Sequence, residues 1–352
     1  MIKKLKDLIF NNFLLIFCIY YFTIFLDATS LEIDYPVIEL ISKIIRYAMY
    51  LLFFIRLIIV LPYYKEDIKE KKWRQKTSLV KITYVILFIL VISLILNFII
   101  TKNKRMIFLI LVLLSAYKMD YKKIIKATMN LQIILTSILV LLSILGITQN
   151  YIVPRGNVFR YSFGFLYTTN LAQMIAFSSI LYLYINGSNI KYRELFIIQI
   201  MNVFTYFITD SRTEFIMLEF IVLIMFIWKF IQNTNKGNIV KKLQKLYSSI
   251  FTKTFILYPI LSFIIVMCYP NGGIWNNVNS ALSNRLKQTY DNIATYGVQP
   301  FGDNVELLGL GLKEKIKYGN YKSNYIDNEY IQIMFREGSV FTVCFILLIN
   351  IL

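Results

Sequence analysis

The 352 residues are 57% hydrophobic and only 16% charged, with a mean hydropathy of +0.60. A soluble domain of this size places charge at about a quarter of its positions, so the soluble enzyme folds are excluded. Thirty-eight Lys and Arg against twenty Asp and Glu leave a net charge of +18, and histidine is absent, which removes the commonest general base and zinc ligand.

Apolar runs follow one another along the chain. They span 8–26, 37–61, 79–100, 106–119, 124–147, 166–185, 195–209, 213–231 and 254–269. A tenth opens near Glu329 and is still apolar at Leu352. A bilayer-crossing helix takes about 20 such residues. The pattern predicts an all-α polytopic membrane protein with about ten transmembrane helices: a bundle over 1–269, an extracytoplasmic loop over 270–328, and a final helix over 329–352 that reads as incomplete. The run at 8–26 follows Lys3, Lys4 and Lys6 without a small-residue cleavage site, as a retained anchor does. Cys18, Cys268 and Cys344 lie in or beside these runs at unrelated spacings, as small core residues rather than a disulfide or metal framework.

Charge orients the runs. With a cytoplasmic N-terminus, the inside segments 1–7, 62–81, 118–126, 186–193 and 229–253 hold 22 Lys and Arg, and the outside segments 27–36, 101–105, 149–165 and 210–212 hold 6. That asymmetry is the positive-inside bias. It accounts for most of the net charge as membrane addressing, with no nucleic acid needed as a partner. Two outside segments are longer, 149–165 and 270–328. The second carries Trp275, Tyr290, Tyr296, Phe301, Tyr318, Tyr321 and Tyr325, too many aromatics for a disordered linker. Gly309-Leu310-Gly311 lacks the third glycine of a nucleotide fingerprint and reads as a turn.

Polar residues inside apolar runs are costly and mark sites. Glu39, Lys43, Arg46 and Tyr50 are spaced four, three and four apart, on one helical face, and Arg46 near mid-span must face protein or water. Gln199, Asn202, Tyr206 and Thr209 form a second stripe, which fits interhelical hydrogen bonding. It leads to Asp210-Ser211-Arg212-Thr213-Glu214, with Glu219 seven residues beyond Arg212. That turn reads either as a local ion pair or as an anion site whose arginine is held by a carboxylate. The sixth run opens as Arg160-Tyr161-Ser162-Phe163-Gly164-Phe165 and continues through Asn170 and Gln173. The long loop contributes Ser283-Asn284-Arg285-Leu286 and Ile326-Asp327-Asn328-Glu329-Tyr330.

Taken together, these segments resemble bacterial oligosaccharide repeat-unit polymerases, the Wzy-type O-antigen, capsule and exopolysaccharide polymerases related to O-antigen ligase. In that family the opening segment usually continues into a His-Pro-Asn-like step; here Tyr167-Thr168-Thr169-Asn170 stands in its place, keeping only the asparagine. The resemblance implies a glycosyltransferase on the outer face of the cytoplasmic membrane. Its donor and acceptor would be oligosaccharides linked to undecaprenyl diphosphate, and a flippase and a chain-length regulator would be its partners. Arg160, Arg212 and Arg285 would neutralise the diphosphate leaving group, for which guanidinium geometry is suited. Asp327 would take the acceptor proton, with Glu306 and Asp303 behind it. Arg46, Asn170, Gln173, Glu306 and Tyr330 would line the substrate. No cofactor or metal is called for. A glycan ligase and a lipid-linked oligosaccharide flippase remain the alternative readings.

Overall fold

The computed structural model describes residues 10–70, 79–233, 253–254, 256–319, 321 and 323–351. Lys3, Lys4 and Lys6, and residues 71–78 and 234–252 of two basic inside segments, lie outside them.

Among the described residues the fold is helical, with one two-stranded hairpin. Its helices are α1 (Phe13–Asp27), α2 (Leu31–Asp34), α3 (Pro36–Glu70), α4 (Leu79–Thr101), α5 (Arg105–Ser115), α6 (Tyr121–Ile144), α7 (Asn170–Asn186), α8 (Tyr192–Thr209) and α9 (Arg212–Asn233). There follow α10 (Ile256–Asn271), α11 (Ile274–Ala281), α12 (Arg285–Tyr296), α13 (Leu312–Tyr318), α14 (Glu329–Glu337) and α15 (Ser339–Ile351). Strands β1 (Ile152–Arg155) and β2 (Val158–Tyr161) pair antiparallel between α6 and α7. Every apolar run therefore has a helical counterpart, and the stretch 270–328 carries three short helices of its own.

Two helical segments among the described residues are long and apolar enough to cross a membrane, Pro36–Tyr63 and Tyr121–Ile144. Others are shorter. The 11 residues of α5 rise only about 16 Å at 1.5 Å each, half of a hydrocarbon core about 30 Å thick. Along α3 the exposed residues Val37, Leu40, Ile44, Tyr47, Leu51 and Phe54 recur at steps of three and four, one continuous apolar stripe.

The chain divides into two compact units that interleave in sequence. The first comprises Met1–Pro62, Leu111–Val240 and Leu310–Gly319. The division within α3 falls at Pro62, which lacks the N–H that would continue the helical ladder. In this unit α7 packs against α6, α8 and α9, and α1 against α6. Ala176, Leu183, Leu195, Ile198, Leu218 and Val222 fill the space between α7, α8 and α9. Phe25, Leu139, Phe165 and Leu171 form a second core patch, with the Phe25 and Phe165 rings edge-to-face at 5.9 Å.

The segment that opens the sixth run is not helical until Asn170. Phe163 and Gly164 take positive φ (48° and 82°), and the backbone instead bonds the α1–α2 connection: Ser30 N donates to Gly164 O at 2.7 Å and Leu166 N to Ala28 O at 3.0 Å. A Cβ on Gly164 would stand 2.8 Å from Thr148 Oγ1 and 3.0 Å from Leu139 Cδ1, so glycine is demanded by both φ and space.

The second unit comprises Tyr63–Ile110, Lys241–Gly309 and Asn320–Leu352. Here α15 packs along α4 through Ile86, Leu90, Leu94, Phe341 and Cys344. Val266, Leu286, Leu307, Ile326, Ile331 and Phe335 make the other core of this unit. The tenth run is two helices, α14 and α15, broken at Gly338 (φ 98°). The break is tied down by backbone bonds from Ser339 N to Gln299 O and Val340 N to Pro300 O, both at 3.1 Å. Asn97 of α4 completes the joint by donating from Nδ2 to Phe301 O at 2.9 Å and to Arg336 O at 2.7 Å.

Candidate functional site

In the first unit the polar residues gather at the turn between α8 and α9. Asp210 ends α8 in the left-handed conformation (φ 45°, ψ 38°), which aspartate tolerates better than most residues. Thr209, Asp210 and Ser211 are all buried. The hairpin reaches this turn with two arginines. In the register Val153 pairs with Arg160 and Arg155 with Val158; side chains alternate with period two, and directly paired residues share a face. Arg155 and Arg160 therefore stand on the same side of the ribbon.

Arg160 Nε donates to the Thr209 carbonyl at 2.7 Å. Arg155 Nη1 lies 3.4 Å from both the Asp210 carbonyl oxygen and Oδ2. Arg212 Nε reaches Asp210 Oδ1, again at 3.4 Å. Two guanidinium groups, of Arg155 and Arg212, thus share one carboxylate, and a third, of Arg160, holds the neighbouring backbone carbonyl of Thr209. The amino end of α9 is here as well, where first-turn N–H groups have no carbonyl in their own helix. Such helix ends carry partial positive charge.

Of the two readings of this turn, the ion pair is present, and Asp210 is its carboxylate. Glu219 is occupied elsewhere: Asn202 Nδ2 donates to its Oε1 at 2.8 Å and Gln199 Nε2 donates to its Oε2 at 2.5 Å. The Gln199–Asn202 stripe is thereby an interhelical seam between α8 and α9. Arg155 was not singled out by the sequence. Its signal was the Gly156-Asn157 loop between Val153 and Val158, a two-residue hairpin pattern, with Gly156 at φ 58°.

The other sequence-nominated residues of this unit lie near the α1–α2 connection and α7. Arg46 binds the Asp27 carboxylate through both terminal nitrogens and donates from Nη2 to Thr23 O at 2.7 Å. It closes the carboxyl end of α1, where a cation meets the negative end of the helix dipole. Asn170 Nδ2 is 3.5 Å from Ala28 O. Gln173 Nε2 donates to Glu214 Oε1 at 3.2 Å, linking α7 to the first turn of α9. The α13 segment, from the long loop, docks here too. Leu312 N donates to Leu166 O at 3.0 Å, Tyr167 Oη donates to Glu314, and Lys315 lies over the Tyr151 ring at 5.2 Å.

In the second unit Arg285 opens α12 and pairs with Asp327, Nε to Oδ2 at 3.1 Å. Asn328 caps α14 by accepting from Ile331 N at 3.2 Å. Tyr330 packs against Tyr258 with ring centroids 5.7 Å apart. The Glu306 carbonyl accepts from Asn324 Nδ2 at 3.1 Å, and Asp303 Oδ1 caps Asn304 N at 2.7 Å. The structure therefore brings Arg160 together with Arg212, and Arg285 with Asp327, in separate units.

Comparison of the chain with protein-family models, with curated proteins and with solved structures returns no match.

Proposed function

We propose that this protein is a multi-pass membrane glycosyltransferase that polymerises oligosaccharide repeat units carried on undecaprenyl diphosphate, with about ten spans, a cytoplasmic N-terminus and the arginine-bearing turns on the outer face. The observation that carries the reading is the meeting of Arg160 and Arg212 at the α8–α9 turn. The two were nominated from segments about 50 residues apart in sequence, for the same chemistry. The exposed apolar stripe of α3 supports the membrane setting, because an apolar face of that length needs an apolar neighbour.

In this reading an acceptor hydroxyl oxygen forms the new bond to the anomeric carbon of the donor glycan, and the bond from that carbon to the lipid diphosphate breaks. The diphosphate departs with the bonding electrons. It is already a stable anion and needs positive charge more than a proton, which fixed guanidinium groups supply. The hydroxyl proton passes to a general base; in the second unit the Asp327 carboxylate pairs with Arg285. Arg46, bonded to Asp27 and Thr23, serves the reading as a tie between α1 and α3.

The test is the glycan-length profile of cells carrying single substitutions. Arg160→Ala and Arg212→Ala are each expected to abolish long glycan while single lipid-linked units accumulate, and the corresponding lysine variants to restore little of it, because lysine lacks the bidentate fork. Normal chain length in both alanine variants would overturn the reading. Loss of the single units from the outer leaflet would indicate translocation instead.

A further inference from the structure

The contacts around Asp210 are long. Hydrogen bonds between ionised groups settle at about 2.7–2.9 Å, whereas Arg155 and Arg212 each hold this carboxylate at 3.4 Å. Their shared partner is 9% exposed at its side chain. Ser211, the residue before α9, has a buried hydroxyl with no hydrogen-bond partner. A serine in that position ordinarily accepts from an N–H two or three residues into the helix. The turn thus combines two guanidinium groups on one loosely held carboxylate, a third on the adjacent Thr209 carbonyl, a helix amino end and the Ser211 hydroxyl without a hydrogen-bond partner.

We propose that Asp210 is a resident placeholder for a phosphoryl group: the oxygens of an incoming diphosphate displace its carboxylate from Arg155 and Arg212 and take up the Ser211 hydroxyl. Arg155 is then a positioning residue. It holds the left-handed turn by its contact with the Asp210 carbonyl and passes to the ligand when the carboxylate withdraws. The placeholder keeps Arg155 and Arg212 from repelling one another while the site is empty and sets the affinity below what the two bare guanidiniums would give. This extends the reading of the turn as a diphosphate site, but it concerns binding alone and needs no turnover.

The experiment is a thermal-shift titration of the purified full chain in detergent, with inorganic pyrophosphate in one arm and a polyprenyl diphosphate in the other. Asp210→Asn removes the competing charge, and asparagine also tolerates the left-handed backbone. Asp210→Gly does the same with no side chain, so that a folding defect in one variant leaves the other. Binding is expected to tighten about tenfold relative to the unsubstituted chain in at least one arm, since an internal competitor lowers apparent affinity by the fraction of time it occupies the site. Tightening in both arms identifies the phosphoryl group itself as what is read; tightening only with the polyprenyl compound adds the lipid. Arg155→Gln is expected to weaken binding about tenfold, with partial recovery in Arg155→Lys. A purely structural Asp210 predicts equal or weaker binding in both arms for the folded variants, and that result would overturn the proposal. Cells that make normal glycan despite tightened pyrophosphate binding in Asp210→Asn would count against the role of the turn in polymerisation and leave the placeholder standing.

Discussion

Glu32 shows how one carboxylate records its surroundings. It lies in α2, between α1 and α3, and is 6% exposed. Burial pushes its carboxyl above the usual range; the Ser42 hydroxyl, donating to Oε1 at 2.7 Å, opposes that, and the negative charge of Asp27 adds to it. A group whose folded value is raised contributes stability fully below its unfolded value and loses that contribution as pH rises through the folded one. Removing the charge should therefore help where the charge is costly. Glu32→Gln, which keeps an oxygen to accept from Ser42, is expected to unfold at a higher temperature than the unsubstituted chain at pH 8, and the difference should vanish below about pH 4, where the carboxyl is protonated in both states. Melting curves over that pH series check it. Melting of Glu32→Gln at a lower temperature than the unsubstituted chain at pH 8, with the deficit vanishing at low pH, would mean that the Glu32 charge stabilises the fold instead.

Among the elements, helices were legible wherever hydropathy alone decides. The run at 79–100 became α4 (Leu79–Thr101) and the run at 213–231 became α9 (Arg212–Asn233), because a long apolar stretch has few ways to satisfy its backbone other than as a helix. What hydropathy does not record is φ. Gly338 sits inside an apolar run and counts as one more neutral residue, yet it splits α14 from α15. Gly164 likewise delays α7 until Asn170. The site divides in the same way. Arg160 and Arg212 were legible as cations beside apolar runs, whereas the roles of Arg155 and Asp210 depend on a hairpin register and a left-handed turn, which single residues do not announce. Gly338 also gives the sharpest test at this scale. A Cβ there would collide with Pro300 O and would stand 2.5 Å from Gly302 N and 2.6 Å from Phe301 Cα, all backbone atoms that cannot rotate away. Strain at positive φ costs about 1–3 kcal/mol and overpacking about as much again. Gly338→Ala is expected to lose more than about 2 kcal/mol in denaturant unfolding. Gly156→Ala has positive φ but open space and should lose only about 1 kcal/mol. Equal losses at the two positions would refute the close approach at the α14–α15 break.

At the scale of the whole molecule, the orientation across the membrane is the property on which the proposed chemistry depends, since a lipid-linked glycan presented outside must meet arginines outside. In the proposed orientation, which follows the charge asymmetry, the hairpin and the α8–α9 turn would lie on the outer side and the α7–α8 connection on the inner side. Residues suited to reporting on this are Asn157, exposed at the tip of the hairpin, and Asn189, exposed after α7. They are separated by the 17 residues of α7, which rise about 25 Å, near the thickness of a hydrocarbon core with some local thinning. Cys18, Cys268 and Cys344 are free thiols, the last of them buried, and conservative replacement of all three gives a background in which one introduced cysteine reports alone. In intact cells a membrane-impermeant maleimide is expected to label Asn157→Cys and to leave Asn189→Cys unlabelled until the membrane is permeabilised. The reverse pattern would put Arg155, Arg160 and Arg212 on the cytoplasmic side and remove extracytoplasmic transfer as their chemistry. Labelling of both in intact cells would mean that α7 does not cross at all. Either result bears on Arg160 and Arg212 together, because their shared contact with the Thr209–Asp210 turn binds them to one side of the membrane whichever side that is.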